Sequence, residues 1–275
     1  MSASALPPNV HASSHPLIAH KITRLRNRDT KSAEFRSLLK EISFYLGYEV
    51  SHFEISFFFC VVCRLLIVYY VVIHLQATSH INSRKQVVTT PMNTEFTGSE
   101  ISDNIAIIPI LRAGLVMGDG VLDLIPTAVV HHIGMFRSKV SNLPVQYYNR
   151  LPRDEPCDIA FVVDPCVATS NTLHAVVSIC KKWGAKKVVV LAAVGAREGL
   201  TRLANDHPDI DIYIGSCDDT LDAKGMLIPG LGDSGDRQFG TPIAEAPEVL
   251  QMSAEETILK PDSSPKKRTR SSDKN

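Results

Sequence analysis

The chain has a single tryptophan, an aromatic fraction of only 7% and no net charge: 29 Lys and Arg balance 29 Asp and Glu over 275 residues. That balance removes the usual electrostatic reason for a protein to seek nucleic acid or an anionic membrane surface, so no nucleic-acid partner is expected. Cysteine is sparse and scattered, at Cys60, Cys63, Cys157, Cys166, Cys180 and Cys217. Several of these lie inside apolar runs, where a buried free thiol is the ordinary state. Cys60 and Cys63 have metal or redox spacing but lack a second pair or a nearby His cluster, and no metal cage is expected. The opening residues, MSASALPPNVHASSHP, hold no apolar signal core, which leads to the expectation of a reducing, cytoplasmic setting. Apolar residues, by contrast, make up 44% of the chain, enough for one substantial core in a single domain with tails.

Residues 1–14 are small and rich in Pro and Ser and are expected to be disordered. A helix is expected over Pro16–Asn27, and a second from near Thr30 or Ser32, either of which could cap it. Phe35, Leu38, Leu39, Ile42 and Leu46 then fall at helical spacing, with Gly47 suited to the end. From Ile105 apolar strands alternate with helices: strands at IAIIPI, AVVHHIGMF, IAFVV, KVVVLAAV and IDIYIG, helices at Leu115–Leu124, Thr172–Trp183 closed by Gly184, and Glu198–Asp206. This pattern predicts an α/β fold with a parallel, doubly wound sheet flanked by helices. Ligands of such sheets bind beyond the carboxyl ends of the strands, where the strand order reverses. The domain is expected over 15–242, followed by a disordered basic tail at 243–275. Lys266, Lys267, Arg268 and Arg270 in that tail suit a nuclear-import signal or a solvated basic tail.

Three segments that follow strands could carry chemistry. In FVVDPCVATSNTLHAV, Asp164 stands at the end of a strand and Thr169–Thr172 leads into a helix. Backbone N–H groups at a helix start, aided by the helix dipole, hold phosphate, and Asp164 is placed to accept from ribose-type hydroxyls. An ordinary capped strand-to-helix turn would look the same. In IPILRAGLVMGDG, Arg112 sits beside Ala113 and Gly114, and its planar donors match diphosphate oxygens. A surface arginine at a strand end is the plainer alternative. In MLIPGLGDSGDRQFGT, Pro229, Gly230, Gly232 and Gly235 make a tight loop whose own amides and carbonyls could read a small planar base, or form a plain surface turn.

Together these segments resemble the uracil phosphoribosyltransferases, of the type I phosphoribosyltransferase fold. The family's Pro-Ile-Leu-Arg-Ala-Gly is matched at Pro109–Gly114, its Asp-Pro-x-x-Ala-Thr-Gly-Gly at Asp164–Thr169 before the match breaks, and its Gly-Leu-Gly-Asp-x-Gly-Asp at Gly230–Asp236. HPLIAHKITRLRNRDT, Gly134–Arg137 and Pro144–Pro152 also match in order, so the resemblance covers about Pro16–Glu49 and Lys85–Thr241. It implies transfer of ribose 5-phosphate from phosphoribosyl diphosphate (PRPP) to N1 of uracil, giving UMP and diphosphate, with Mg²⁺ accompanying the diphosphate. By position, PRPP would meet Asp164, Pro165, Cys166, Val167, Ala168, Thr169, Ser170, Asn171 and Thr172, the last four holding the 5-phosphate and Asp164 the ribose hydroxyls. Arg112 and Arg137 would meet the diphosphate. Uracil would meet Leu227, Gly232, Asp233 and Ser234, with Asp233 between base and PRPP, so that Asp233 and Arg112 are the expected catalytic pair. The resemblance also implies a homo-oligomer, and some members are controlled by GTP, although no residue here carries that reading.

The chain departs from the pattern in three places. Ser170 and Asn171 stand where the family has Gly-Gly. A non-glycine at a left-handed position costs about 1–2 kcal/mol, and each added Cβ crowds the phosphate. The expectation is a weakened cradle, with a non-catalytic or impaired PRPP- or UMP-binding regulator as the alternative. SKVSNL after Arg137 replaces an acidic stretch of a mobile loop. Finally, an apolar insertion occupies about 50–84. Three readings stay open for it: a translated intron, since thymine-rich codons give its Phe, Leu, Ile, Val, Tyr and Cys; a genuine insertion; or a membrane anchor at 55–75, which as a helix would reach roughly 30 Å.

Overall fold

The computed structural model describes residues 6–48, 51–52, 74–75, 78, 81–137 and 144–241. The basic tail, Cys60 and Cys63, the stretch SKVSNL and most of the apolar insertion lie outside the described residues.

The chain opens with β1 (Val10–Ala12), then α1 (Pro16–Arg26) and α2 (Ser32–Tyr48). Pro16 suits the first helical position, and His15 Nδ1 caps the helix by accepting from the Leu17 N–H at 3.2 Å. Two short strands follow, β2 (Ser51–His52) and β3 (His74–Leu75), then a hairpin of β4 (Ser83–Thr89) and β5 (Glu95–Ile101). The next group is β6 (Ile105–Leu111), α3 (Leu115–Leu124), β7 (Val129–Val130), β8 (Ile133–Arg137) and β9 (Pro144–Asn149). After these come β10 (Ile159–Val163), β11 (Cys166–Val167), α4 (Asn171–Trp183), β12 (Lys187–Ala196) and α5 (Arg197–Asp206). The chain continues with β13 (Asp211–Asp218), β14 (Thr220–Leu221), β15 (Leu227–Ile228) and α6 (Ser234–Phe239).

The main sheet runs β1-β13-β12-β10-β6-β8-β9, with β11 on β12 and β7 on β6. It is parallel except for β9, which returns antiparallel on β8. Side chains of a strand alternate between faces, and both faces are covered. Ile105, Ile107, Phe161 and Val163 pack with α1, α2 and α3, while Ala106, Ile108, Ala160 and Val162 pack with α4 and α5. Such double burial explains why β6, β10 and β12 read as unbroken apolar runs. From β6 the chain steps first to β8, then returns to β10 on the other side of β6 and proceeds outward to β12 and β13. The order therefore reverses between β6 and β10, and the crevice beyond Leu111 and Val163 is where a ligand is expected.

Several expectations are corrected. Residues 10–12 form an edge strand on β13, in register Val10↔Ile212, within the stretch expected to be disordered. Gly47 lies inside α2, where an added Cβ would meet Leu124 Cδ2 at 3.0 Å, so it serves helix packing rather than termination. The strand expected over 128–136 is broken at His131 and His132, and its two pieces pair separately along β6. Helix α4 starts one residue early, at Asn171, and α5 one early, at Arg197.

At the insertion, β2 pairs antiparallel with β3, Ser51 against Leu75 and His52 against His74. The backbone thus leaves and returns at one place. Among the described residues, no helix is long and apolar enough to cross a membrane.

Candidate functional site

The end of β10 and the start of α4 form a small hollow of about 50 Å³, lined by Asp164, Cys166, Val167, Ala168, Thr169, Ser170, Asn171, Thr172 and Leu173. That volume holds roughly three or four waters, the scale of a phosphate group rather than a nucleoside. Pro165 is not among the lining residues. It is buried, and its carbonyl accepts from the Ala193 and Val194 N–H groups at 3.1 and 3.0 Å.

The two glycine replacements behave differently. Ser170 is the left-handed residue, at φ 64°, ψ −6°, and its side chain makes no capping bond to α4. Its hydroxyl is buried without a hydrogen-bond partner. Asn171 is the first residue of the helix, and its Oδ1 accepts from Arg202 Nη1 of α5 at 2.9 Å. The backbone cost therefore falls on Ser170 alone. Ser170→Gly relieves about 1–2 kcal/mol of left-handed strain and the buried orphan hydroxyl, against about 0.4–1 kcal/mol of added unfolded-state entropy. The expected outcome is a net gain of about 1 kcal/mol, read as a higher urea midpoint. Asn171→Gly, by contrast, loses the Arg202 bond and is expected to lower that midpoint.

Helix α5 buttresses the hollow. A Cβ at Gly199 would stand 1.8 Å from the Ala168 carbonyl oxygen and 2.9 Å from its carbon, so only glycine allows α5 to approach the cradle this closely. Gly199→Ala must push the loop aside, at about 1–3 kcal/mol. Calorimetric titration with PRPP is expected to show roughly tenfold or greater weakening. An unchanged affinity would mean that the cradle tolerates displacement.

Asp164 sits half-buried at the floor, and burial pushes its carboxyl up to about 7, opposed by a bond from the Cys166 N–H. Burial likewise raises the Cys166 thiol, reinforced by the charges of Asp164, Asp233 and Asp218. An unfolded Asp titrates near 4. The folded chain therefore holds a proton at Asp164 that the unfolded chain has lost between about pH 4 and pH 7. This contribution to stability is fully present below the lower value and is lost as pH rises through about 7. If ribose hydroxyls donate to the ionised carboxylate, binding must expel that proton. PRPP affinity is then expected to rise between pH 6 and pH 8, with proton release at pH 7 measured by calorimetry in buffers of different ionisation enthalpy. Both effects should shrink in Asp164→Asn to the part that belongs to the phosphate groups of PRPP, which themselves ionise near pH 6.

Across the crevice, Arg112 follows β6 after a cis Leu111–Arg112 peptide bond. Its side chain is about half exposed, and Nη2 donates to Asp236 Oδ1 at 2.8 Å. A Cβ on Gly114 would stand 2.3 Å from the Val163 carbonyl oxygen, so this turn lies directly against the strand that carries Asp164. Arg137 ends β8, its backbone paired with Pro144 of β9.

The glycine loop follows β15, whose first residue Leu227 packs against the core. It turns at Gly230 (φ 61°) and Gly232 (φ 70°) and enters α6, where Asp233 Oδ1 caps the helix by accepting from the Asp236 N–H at 2.9 Å. Ser234 is buried. The loop is clamped from below by Asp218 at the end of β13. That carboxylate is 3% exposed, accepts from the Gly230 N–H at 3.0 Å, and is paired with both terminal nitrogens of Arg26. Arg26 Nη1 also donates to the Gly230 carbonyl at 3.1 Å. Arg237 of α6 donates to the carbonyls of Leu25, Asn27 and Leu231 at 2.6–2.9 Å. Its guanidinium lies 4.4 Å over the Phe35 ring, and burial lowers its pKa.

Sequence reasoning missed Arg26, Asp218, Gly199 and Asp236. Asp236 and Arg26 lay inside matched segments but carried no local mark of these contacts, and Asp218 and Gly199 act through contacts distant along the chain. A larger cleft of about 330 Å³ lies at the amino ends of the central strands β10 and β12, lined by Asn82, Asp103, Asp158, Ile159, Lys186 and Lys187. Its charged groups are paired among themselves or with a neighbour, as Lys186–Asp158, Asn82–Asp103 and Lys187–Asp211, so it offers an anion less than the smaller hollow does.

Known proteins can be set beside this geometry. A family model described as "Uracil phosphoribosyltransferase" matches residues 12–58 and 61–241, the break falling inside the apolar insertion. A curated protein named uracil phosphoribosyltransferase from Dictyoglomus thermophilum is 41% identical over 229 residues, covering 82% of this chain and 97% of the relative. One of the same name from Roseiflexus sp. is 38% identical over 232 residues, covering 84% and 98%. Among solved structures, the AQ2163 protein from Aquifex aeolicus superposes with a TM-score of 0.71 at 30% identity, covering 86% of this chain and all of that one. The three loops that converge on the β6–β10 crevice lie within the matched residues, and the chain belongs to the uracil phosphoribosyltransferase family.

Proposed function

We propose that the chain transfers ribose 5-phosphate from PRPP to N1 of uracil, releasing UMP and diphosphate. The observation that carries this reading is the convergence of a phosphate-sized hollow, a diphosphate-type arginine and a glycine-rich base loop on one crevice. Thr169–Thr172 hold the 5-phosphate at the start of α4, Asp164 takes the ribose hydroxyls, and Arg112 with Arg137 takes the diphosphate. Leu227, Gly232 and Ser234 present backbone groups to uracil. Asp233 spends Oδ1 on the helix cap, which leaves Oδ2 for a ligand between base and PRPP.

The C1′–O bond to diphosphate breaks while N1 of uracil bonds to C1′, and the N1 proton passes to solvent. No covalent enzyme intermediate is needed. Stabilising the charge of the departing diphosphate is most of the catalysis. Mg²⁺ prefers phosphate oxygens, water and one or two carboxylates, and it would neutralise diphosphate charge when bound; of the carboxylates that act on Cys166 in the cradle, Asp164, Asp233 and Asp218, the last is already paired with Arg26.

We also place the protein in the cytoplasm, a setting that suits the free thiols found among the described residues at Cys157, Cys166, Cys180 and Cys217. We further assign it a homo-oligomeric state, supported by the β4–β5 hairpin. An isolated two-stranded hairpin is marginal in water, and this one exposes Val87, Val88 and Phe96.

The test is turnover with a panel of labelled bases, PRPP and Mg²⁺. Uracil is expected to be consumed and adenine and guanine not. Consumption of a purine, or of no base, would contradict the reading.

A further inference from the structure

Helix α6 is bonded both to the Arg112–Ala113 turn and to the base loop. Asp236 Oδ1 accepts from Arg112 Nη2 at 2.8 Å and from Thr241 Oγ1 at 2.6 Å. The Asp236 N–H donates to Asp233 Oδ1 at 2.9 Å. Two residues on, Gln238 Nε2 donates to the Ala113 carbonyl at 2.7 Å. The side chain of Asp236 is 22% exposed, and Thr241 and Arg112 hold its carboxyl below the ordinary range. One residue therefore touches the arginine assigned to diphosphate through its carboxylate and the aspartate assigned to the base through its amide.

We propose that Asp236 is a positioning residue that couples the base loop to the diphosphate arginine, so that filling either subsite strengthens binding at the other. This inference rests on the roles proposed above for Arg112 and Asp233. Arg112 brings five N–H donors in a planar fork, and Asp236 accepts from one terminal nitrogen, Nη2. The remaining donors stay available for diphosphate oxygens, so the pair orients Arg112 and does not compete with the ligand for it. Thr241 and the start of α6 hold Asp236 in turn, so Arg112 and the first turn of α6 are tied through this post. A diphosphate that locks Arg112 against this post also fixes the first turn of α6, where Asp233 and Ser234 stand. The ordering cost of the base loop is then already met when uracil or the uracil ring of UMP arrives. Coupling is reciprocal by linkage.

The test uses the products, which can occupy both subsites without turnover. The dissociation constant of Mg²⁺-diphosphate is measured by calorimetry on the full chain, alone and with saturating UMP, for the natural protein and for Asp236→Asn and Asp236→Glu. The natural chain is expected to bind diphosphate roughly 5-fold or more tightly when UMP is present, within the usual range of coupling between sites. Asp236→Asn is expected to reduce that ratio to near one while UMP alone binds within about twofold of normal, and Asp236→Glu to restore part of it. A ratio near one in the natural chain, or an unchanged ratio in Asp236→Asn, overturns the proposal. So does an equal loss of both individual affinities with the ratio intact, which is what a merely structural role would give. The readout is separate from the assigned reaction: a chain that binds both products with coupling yet makes no UMP contradicts the function and leaves the coupling standing.

Discussion

Asp218→Ala is expected to remove about 3–5 kcal/mol of folding stability, the cost of leaving one partner of a buried ion pair unpaired. Asp218 is 3% exposed and the Arg26 side chain 19% exposed, so little water can replace the lost carboxylate. The Gly230 N–H loses its acceptor as well, adding a buried donor without a partner. Because Arg26 retains the Gly230 carbonyl and Ser216 Oγ as acceptors, the lower half of the range is expected. Asp218→Asn keeps an acceptor for Gly230 without the charge and should recover part of the loss. Urea unfolding of the three proteins measures this, and a cost below about 1 kcal/mol for Asp218→Ala would show that the clamp is dispensable.

Arg112→Ala is expected to lower kcat/KM by roughly 10²–10³-fold, the effect of removing one preorganised donor from a site where negative charge develops. The loss should appear in kcat and in the KM for PRPP more than in the KM for uracil. Its stability should barely change, because Arg112 is about half exposed with one ion pair, and exposed pairs contribute about 0–1 kcal/mol. Arg112→Lys should rescue little, since a point charge cannot reproduce the planar fork. A fall of less than threefold would remove Arg112 from the diphosphate assignment.

The central strands were legible because double burial writes itself as uninterrupted Ile, Val and Ala, and the intervening helices because their apolar residues recur at helical spacing. Strand β1 was not: three residues that complete an edge on β13 carry no pattern of their own inside a Pro- and Ser-rich stretch. Helix α6 was hidden as well, since its six residues SGDRQF sit in a motif whose glycines read as a loop.

In the candidate site, Arg112, Asp164 and Asp233 stood out by their position after strands and among glycines. The sequence left open which of Ser170 and Asn171 takes the left-handed conformation; the start of α4 decides it, because Asn171 is already helical. Arg26 and Asp218 are 192 residues apart, and neither has a local pattern that distinguishes a clamp from a solvated charge. Gly199 reads as a helix-weakening residue until Ala168 is brought against it.

The most direct measurement is one turnover by the natural chain, with Ser170, Asn171 and the 50–84 segment all in place. PRPP binding is first established by calorimetry, and UMP and diphosphate are then followed together after mixing with labelled uracil and Mg²⁺. The account predicts that UMP and diphosphate appear in equal amounts, with faster turnover in Ser170→Gly. PRPP bound without UMP, both in the natural chain and in Ser170→Gly, would contradict it.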